Sequence, residues 1–382
     1  MFCDKITEKV NLRKEKSQYR TRVVRQSLLD NTNAILFSGN DYLGLANHPR
    51  VVKAFTQAAE RYGIGSTASP MVVGYHTPHR DLEMALADFL GFARVVLFSC
   101  GYMANLGVVS GLCDRHDTVF LDRICHASSI DAVQLSGATL KRYRHMDVAH
   151  LKEQLQDVST RKLIISEGIF GMDGDIAKVA ELSLLAREVG AGLLIDDAHG
   201  IGILGKQGRG VLSHYGLPSS SVDVYLGAFG KAFGAFGAFV AGNENMIDGL
   251  MQLARPYMFS TSMPPAIPAS VLAGLQVLQE ETWRHETLQN NIHYFRKKAA
   301  EYALPVLPSI TPIQVFMVGD ALEAERLGAL LKTKGVLVSV IRPPTVPENT
   351  SRLRISLNVS HTYQDIDRVC AALGELVRDS VA

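Results

Sequence analysis

Two neighbouring strand ends carry side chains that could hold a ring and react with a carbonyl group. The apolar run at 193–196 ends in Asp196-Asp197-Ala-His199, and the next apolar run leads to Lys231 within the turn GAFGKAFG. Open parallel sheets bind ligands outside the carboxyl ends of their strands, so these side chains are expected to meet. A carboxylate keeps a pyridine nitrogen protonated, an imidazole bonds a ring hydroxyl, and a lysine amine forms a Schiff base. The pattern therefore predicts a site for a pyridine aldehyde.

Each residue also has an ordinary explanation when it is taken alone. Lys231 could be a solvated loop lysine, and His199 could be a hydrogen-bonded histidine of the core. The order and spacing of the whole group favour the pyridine site over these explanations.

The stretch from Gly200 to Gly205 is similar to nucleotide-binding motifs but fails on context. It fits GxGxxG, and with Lys206 it nearly fits a P-loop. Gln207 stands where a P-loop needs Ser or Thr, and Asp223 opens a strand where a dinucleotide site needs an acid at a strand end. Loop geometry explains these glycines better than a nucleotide-binding module does.

Short apolar runs alternate with helical stretches along the middle of the chain. Runs rich in Val, Ile and Leu predict strands buried on both faces, joined by helices into parallel βαβ units. These runs lie at 95–99, 118–121, 162–166, 193–196, 222–226 and 238–241. A basic helix is predicted from 5 to about 26, and a strand at 337–341. We predict an N-terminal segment (1–47), a large cofactor-binding domain (48–265) and a small C-terminal α/β domain (266–382).

Composition narrows the classes of function. The 382 residues carry 39 Lys+Arg and 38 Asp+Glu, which gives no basic surface for nucleic acid or anionic lipid. The apolar runs are shorter than the roughly 20 residues of a membrane helix, and the charged start is unlike a secretory signal, so we expect a cytoplasmic protein. Five scattered cysteines form neither a disulfide framework nor a zinc-ligand pattern, so no metal is predicted.

Eight motifs spread over essentially the whole chain carry a family resemblance. They are SGNDYLGL, VLFSCGYMANLG, LDRICHASSIDA, EGIFGMDGD, IDDAHGIGILGKQGRG, GAFGKAFG, FSTSMPP and RLRISLNVSHT. In order and spacing they resemble the α-oxoamine synthases, a branch of the fold-type I pyridoxal-phosphate enzymes. The resemblance implies an α/β transferase fold with a mainly parallel central sheet flanked by helices. It also implies pyridoxal 5'-phosphate as cofactor and a homodimer with shared active sites.

The resemblance assigns roles to four predicted catalytic residues. Lys231 resembles the Schiff-base lysine, Asp196 the partner of the pyridine nitrogen, and His199 the partner of the ring hydroxyl. His126 resembles the histidine that stacks on the ring face.

The cofactor phosphate has two implied contacts. Gly101 and Tyr102 match the turn whose backbone N–H groups meet the phosphate, and a helix N-terminus suits an anion. Ser260 and Thr261 fall in the segment that reaches the phosphate of the partner subunit.

Three residues match substrate-binding positions. Asn40 and Arg354 match the residues that hold the amino-acid carboxylate, for which a planar guanidinium is well shaped. Arg20 lines up with the position that meets the distal carboxylate of a pimeloyl chain.

The implied reaction is a decarboxylative Claisen condensation of L-alanine with pimeloyl-CoA or a pimeloyl-carrier protein, in biotin biosynthesis. The sequences TPIQ, IRPPTVP and RLRISL near the C-terminus are similar to those of the α-oxoamine synthases that catalyse this reaction. Three positions depart from the pattern: Ala228 replaces a usual Thr, Gly171 replaces a usual Ser, and Pro70 ends a loop that lacks its usual Arg.

Two alternatives stay open. The departures allow another α-oxoamine synthase that joins glycine or another amino acid to a different acyl thioester, including autoinducer-type aminoketone synthesis. The second alternative is a cofactor-binding regulatory or structural protein that has lost its chemistry, and the joint presence of Lys231, Asp196, His126 and Arg354 argues against it.

Overall fold

The computed structural model describes residues 1–16, 18–22, 24 and 34–381. The chain divides into two compact units. The large unit comprises Asn40–Gly171 and Asp175–Thr287, and the small unit comprises Met1–Gly39, Met172–Gly174 and Leu288–Ala382. These divisions fall at other positions than the boundaries predicted after residues 47 and 265, and the three-part organisation stays a prediction.

Helices and strands alternate along the described residues. The strands are β1 (Ile35–Leu36), β2 (Arg94–Phe98), β3 (Asp117–Asp122), β4 (Thr139–Tyr143), β5 (Arg161–Glu167), β6 (Gly192–Asp196), β7 (Val224–Ala228), β8 (Ala238–Gly242), β9 (Ile313–Gly319), β10 (Val336–Leu337), β11 (Ser339–Ile341) and β12 (Ser351–Ser356). The α-helices are α1 (Phe2–Glu15), α2 (Pro49–Tyr62), α3 (Thr77–Leu90), α4 (Gly101–Leu112), α5 (Ala127–Ser136), α6 (Val148–Gln156), α7 (Val179–Val189), α8 (Val211–His214), α9 (Glu244–Leu253), α10 (Arg255–Met258), α11 (Ala266–Glu280), α12 (Trp283–Glu301), α13 (Ala321–Thr333) and α14 (Tyr363–Val381).

One seven-stranded sheet forms the centre of the large unit, in the order β2-β8-β7-β6-β5-β3-β4. Strands β3 to β7 run parallel, whereas β8 is antiparallel to both β7 and β2. The predicted mainly parallel sheet flanked by helices is confirmed. All residues of β7 and all but the first of β6 are buried, as the unbroken apolar runs predict.

The edge strand β4 has no counterpart among the predicted strands. Its sequence TLKRY is polar, and Thr139 and Arg142 are exposed because no strand covers its outer edge. A search for runs buried on both faces therefore passes over it.

The small unit contains the antiparallel sheet β11-β12-β9, the parallel pair β1-β10 and the helices α13 and α14. The strand predicted at 337–341 is in fact two short strands, β10 and β11, that belong to different sheets. The prediction of a helix from 5 to 26 is wrong beyond α1, because residues 18–22 are not helical. Residues 17, 23 and 25–33 of that prediction lie outside the described residues. None of the described helices is long and apolar enough to cross a bilayer.

Candidate active site

Asp196 lies at the carboxyl end of β6, where its side chain is 7% exposed. One carboxylate oxygen accepts a hydrogen bond from Asn105 Nδ2 at 2.8 Å, and the other accepts from the Ala198 backbone N–H at 3.1 Å. These donors compensate the cost of burying the charge and fix the direction of the carboxylate. The strand-end position predicted for Asp196 is thus observed.

A second buried carboxylate, Glu167, ends the neighbouring strand β5 and stands in register with Asp196. Its oxygens accept hydrogen bonds from the backbone N–H groups of His126, at 2.6 Å, and Gly171, at 3.2 Å. Burial, followed by the negative charge of Asp196, raises the pKa of Glu167 to about 8. Glu167 therefore ties the position of His126 to the end of β5.

His126 caps the N-terminus of α5 and is exposed. Ser128 Oγ lies 2.8 Å from His126 Nδ1, and Asn105 Nδ2 donates to Ser128 Oγ at 3.0 Å. Desolvation lowers the pKa of His126, the charge of Asp196 raises it, and the charge of Lys231 lowers it. The structure therefore brings His126, Asp196 and Lys231 within electrostatic reach of one another.

Lys231 lies in the tight turn between β7 and β8. The Gly234 backbone N–H donates to the Lys231 carbonyl at 2.8 Å, and Gly234 has a φ of 59°. A side chain at Gly234 would collide with the backbone of Ala46, so both the turn and its packing require glycine there. The positive charge of Lys231 is the smallest of the effects on the pKa of Glu167 and lowers it, which puts the amine within electrostatic reach of Glu167.

The N-terminus of α4 contains the two residues predicted to meet the phosphate. Gly101 and Tyr102 begin this helix, and no side chain caps its first turn. A Cβ placed on Gly101 would lie 3.8 Å from the Cβ of Ala228, so the residue that departs from the family pattern lies beside this turn. The Tyr102 ring meets the His126 ring edge-on with centroids 6.3 Å apart. The predicted phosphate turn and the predicted stacking histidine are therefore neighbours.

Asp197, the second acid of the motif Asp196-Asp197-Ala-His199, is held by hydrogen bonds in the interior of the large unit. It is fully buried, and its carboxylate accepts hydrogen bonds from the Tyr225 hydroxyl and from the Val211 backbone N–H, the latter at 2.7 Å. Burial raises the pKa of Asp197 to about 7. A side chain on Gly168 or Gly200 would collide with this carboxylate.

Packing also explains the other glycines of the GxGxxG stretch. Gly202 and Gly205 have φ values of 82° and 72°, which favour glycine. A Cβ on Gly202 would come 2.6 Å from the Cβ of Ala232. The expectation that loop geometry accounts for this stretch is confirmed.

His199 follows β6 by three residues and is half-buried. Its Nδ1 lies 2.9 Å from the hydroxyl of Tyr42, which in turn lies 3.3 Å from Asn40 Oδ1. A Cβ on Gly171 would come 2.5 Å from His199 Nε2, so the family's usual serine at 171 would need His199 to shift.

Two further predicted residues, Ser260 and Thr261, belong to the large unit. Ser260 and Thr261 follow α10 and line a pocket of the large unit together with Tyr75, Glu83 and Tyr257. Burial raises the pKa of Glu83 to about 7.

Arg354 and Arg20 belong to the small unit. Arg354 is buried on the middle strand β12, and Arg20 is exposed and donates to Thr345 Oγ at 2.5 Å. Arg342 lies near enough for the charge of Arg20 to lower its pKa, although burial is the larger cause.

Sequence reasoning left Asn105, Ser128, Glu167 and Tyr42 without roles. A signal existed for Glu167, since it ends an apolar run as Asp196 does. Asn105 follows Gly101 by about one helical turn, which places both on one face of α4. No local pattern marks Ser128 or Tyr42, because their contacts with Asn105 and His199 join residues that are distant in sequence.

His145 joins two loops at this end of the sheet. Its Nδ1 lies 2.9 Å from Asp122 at the end of β3, and its Nε2 lies 2.7 Å from Asp175. Burial alone would lower the pKa of His145, but the hydrogen bonds to the two carboxylates outweigh it and raise the pKa to about 9. The imidazolium of His145 therefore bridges the carboxylates of Asp122 and Asp175.

We expect His145→Gln to lose a pH-dependent part of the stability. A pKa raised from 6.5 to about 9 stabilises the folded state fully below pH 6.5, and this contribution is lost as the pH rises to about 9. The variant should unfold with a free energy lower by about 1–3 kcal/mol at pH 6, with a smaller difference at pH 9.5. Urea unfolding of the wild type and the variant between pH 6 and pH 9.5 measures the difference in free energy. A difference that does not change with pH would contradict the bridge between His145 and the two carboxylates.

The fold and the strand-end lysine, acid and histidines define a class of protein. The family model for class I and II aminotransferases matches residues 32–373, and the chain belongs to this family, in its α-oxoamine synthase branch. Curated relatives are close. The 8-amino-7-oxononanoate synthase of Pseudomonas syringae pv. tomato is 46% identical over 371 residues, 96% of this chain and 94% of the relative. That of Stutzerimonas stutzeri is 46% identical over 376 residues, 97% and 96% of the two chains.

Solved structures agree with this placement. Serine palmitoyltransferase from S. paucimobilis, solved with a bound PLP-myriocin aldimine, is 29% identical with a TM-score of 0.92 and covers 99% of this chain and 98% of its own. The 8-amino-7-oxononanoate synthase from Francisella tularensis is 30% identical with a TM-score of 0.80, covering 91% and 99%. The predicted resemblance is confirmed.

Proposed function

We propose that this protein is a cytoplasmic enzyme that condenses L-alanine with pimeloyl-CoA or a pimeloyl-carrier protein. The products are 8-amino-7-oxononanoate, CO2 and the free thiol, as in biotin biosynthesis. The observation that carries the proposal is the meeting of Asp196, His126 and Lys231 at the strand ends, in a chain 46% identical to enzymes of that name. These relatives do not favour the alternative of another amino acid and acyl group.

The donor set fits pyridoxal phosphate. The first turn of α4 at Gly101 and Tyr102 offers backbone N–H groups for a phosphate. Asp196 offers a fixed carboxylate for a ring nitrogen, and the exposed His126 would stack on the ring. Lys231 supplies the amine for the aldehyde.

The bound cofactor supplies an aldehyde for the substrate amine and a ring that accepts the electrons released at the substrate Cα. Asp196, whose carboxylate is buried and oriented by Asn105, would hold the proton on the ring nitrogen of the bound cofactor. The Lys231 amine takes the proton from the alanine Cα and later returns one to the product. The alanine Cα attacks the thioester carbonyl, the thiol leaves, and loss of CO2 completes the condensation.

We assign the two carboxylates of the substrates to separate arginines. Arg354 would hold the alanine carboxylate and Arg20 the distal carboxylate of the acyl chain. Arg20 is exposed and donates to the Thr345 hydroxyl, whereas Arg342 already pairs with Glu325, so Arg20 is the guanidinium that suits a carboxylate. An arginine in this position supports a dicarboxylic acyl group over a plain fatty acyl chain.

We also propose a homodimer. The loop between α2 and α3 exposes the apolar side chains of Ile64, Val72 and Val73 by 93%, 73% and 66%. Covering such side chains in a subunit interface removes them from water. Analytical ultracentrifugation should find dimers, and Val72→Asp should weaken them, whereas Leu184→Asp on the exposed face of α7 should not. A fully active monomer would contradict this assembly.

The reaction is tested with a panel of substrates. Holoenzyme is mixed with alanine, glycine or serine and with pimeloyl-CoA, octanoyl-CoA or palmitoyl-CoA, and free thiol, CO2 and the amino ketone are measured. We expect turnover with alanine and pimeloyl-CoA to exceed every other pair by at least about 10-fold. Faster release with another pair would replace the proposed substrates.

A further inference from the structure

We propose that Tyr42 is a positioning residue that presents the Asn40 amide to the carboxylate of the amino-acid substrate, an inference that rests on the proposed function. The Tyr42 side chain is 1% exposed in the large unit. Its hydroxyl lies 3.3 Å from Asn40 Oδ1 and 2.9 Å from His199 Nδ1. One buried hydroxyl therefore contacts the residue assigned to the substrate carboxylate and the residue assigned to the ring hydroxyl.

The single proton of the phenol sets the direction of both hydrogen bonds. Asn40 Oδ1 only accepts, so the Tyr42 hydroxyl donates to it. His199 Nδ1 then donates to the Tyr42 oxygen, which places the proton of the neutral imidazole on Nδ1 and makes Nε2 an acceptor. An accepting Nε2 matches a ring hydroxyl that donates.

The same direction decides which end of the Asn40 amide faces the substrate. With Oδ1 held by Tyr42, the amide NH2 group turns to the other side, where it can donate to a carboxylate. The opposite orientation would aim the Oδ1 lone pairs at the anion and repel it. If the amide turned over, its NH2 group would donate to the Tyr42 oxygen and the phenol would donate to His199 Nδ1, so the proton on His199 distinguishes the two arrangements.

Tyr42→Phe tests this role, because it keeps the buried ring and removes only the hydroxyl. The holoenzyme is titrated with L-alanine and with ethylamine, which lacks the carboxylate, and the visible absorbance of the bound cofactor is followed. We expect the variant to raise the Kd for L-alanine about 10-fold and to leave the Kd for ethylamine within about twofold. Tyr143→Phe, which removes an equally buried hydroxyl at the end of β4, is the matched control and should keep both values.

Two results would overturn the role of Tyr42: an unchanged Kd for L-alanine, or an equal weakening for both amines. A wild-type enzyme that responds to ethylamine but not to L-alanine would instead overturn the proposed substrate.

The tautomer of His199 provides a test in the wild-type protein itself. Nitrogen NMR of enzyme labelled at histidine, with His199 assigned by the signal missing from His199→Asn, should show the proton on Nδ1. A proton on Nε2 would reverse the hydrogen bonds and contradict the inference.

Discussion

Replacing Lys231 by alanine is expected to abolish both the visible absorption of the lysine-bound cofactor and the condensation. Among the described lysines, Lys231 is the one whose charge acts on both Glu167 and His126. Since one group serves as carbonyl partner and as proton carrier, turnover should fall by at least about 10³-fold. Absorbance spectra and thiol release measure the two effects.

Lys206→Ala is the matched control for Lys231→Ala. Lys206 is exposed in the glycine-rich stretch of the same unit, next to the motif that is similar to a P-loop. Its removal should leave absorption and turnover within about twofold of wild type, as for most surface substitutions. A Lys231→Ala enzyme that still shows the absorption and still turns over would contradict the assignment of Lys231 as the cofactor-binding lysine.

Asp196→Asn is expected to slow the exchange of the alanine Cα proton by about 10³-fold, because an amide cannot hold a proton on the ring nitrogen. The fold should survive, since the remaining oxygen can still accept from Asn105 or Ala198. Proton NMR of L-alanine in D2O, with enzyme and cofactor but without thioester, measures this step alone.

Asp223→Asn serves as its control. Asp223 accepts from the Leu193 backbone N–H at 2.8 Å near the start of β6, at the opposite end of the strand from Asp196. The exchange rate should stay within about twofold of wild type. Equal slowing in both variants would show a general loss of structure, and an unchanged rate in Asp196→Asn would end the proposed role.

The inner strands could be predicted because burial on both faces leaves an unbroken apolar run. The edge strand β4 could not, since Thr139 and Arg142 face water. The antiparallel direction of β8 could not be predicted, because the pattern of apolar residues is the same in parallel and antiparallel buried strands. The short strands β10 and β11 were merged, because Val338, which separates them, is as apolar as their own residues.

Some residues of the candidate site could be predicted from the sequence, and others could not. Asp196 and Lys231 could be found because each ends or follows a strand, and chemistry at that edge of the sheet needs these residue types. Glu167 also ends a strand, so the same rule applies to it. Tyr42 and Ser128 lie two residues from Asn40 and His126, but their hydrogen bonds to His199 and Asn105 form only on folding, so spacing alone does not reveal their roles.

The collision of side chains at Gly168 and Gly200 with the Asp197 carboxylate bears on how a saturation-mutagenesis map of this gene would be interpreted. Both codons, together with that for Gly202, should tolerate almost no replacement. Such depletion would look like the signature of a bound nucleotide phosphate. Its cause would be steric, so expression level and solubility should fall with activity at these positions, whereas at Lys231 activity alone should fall.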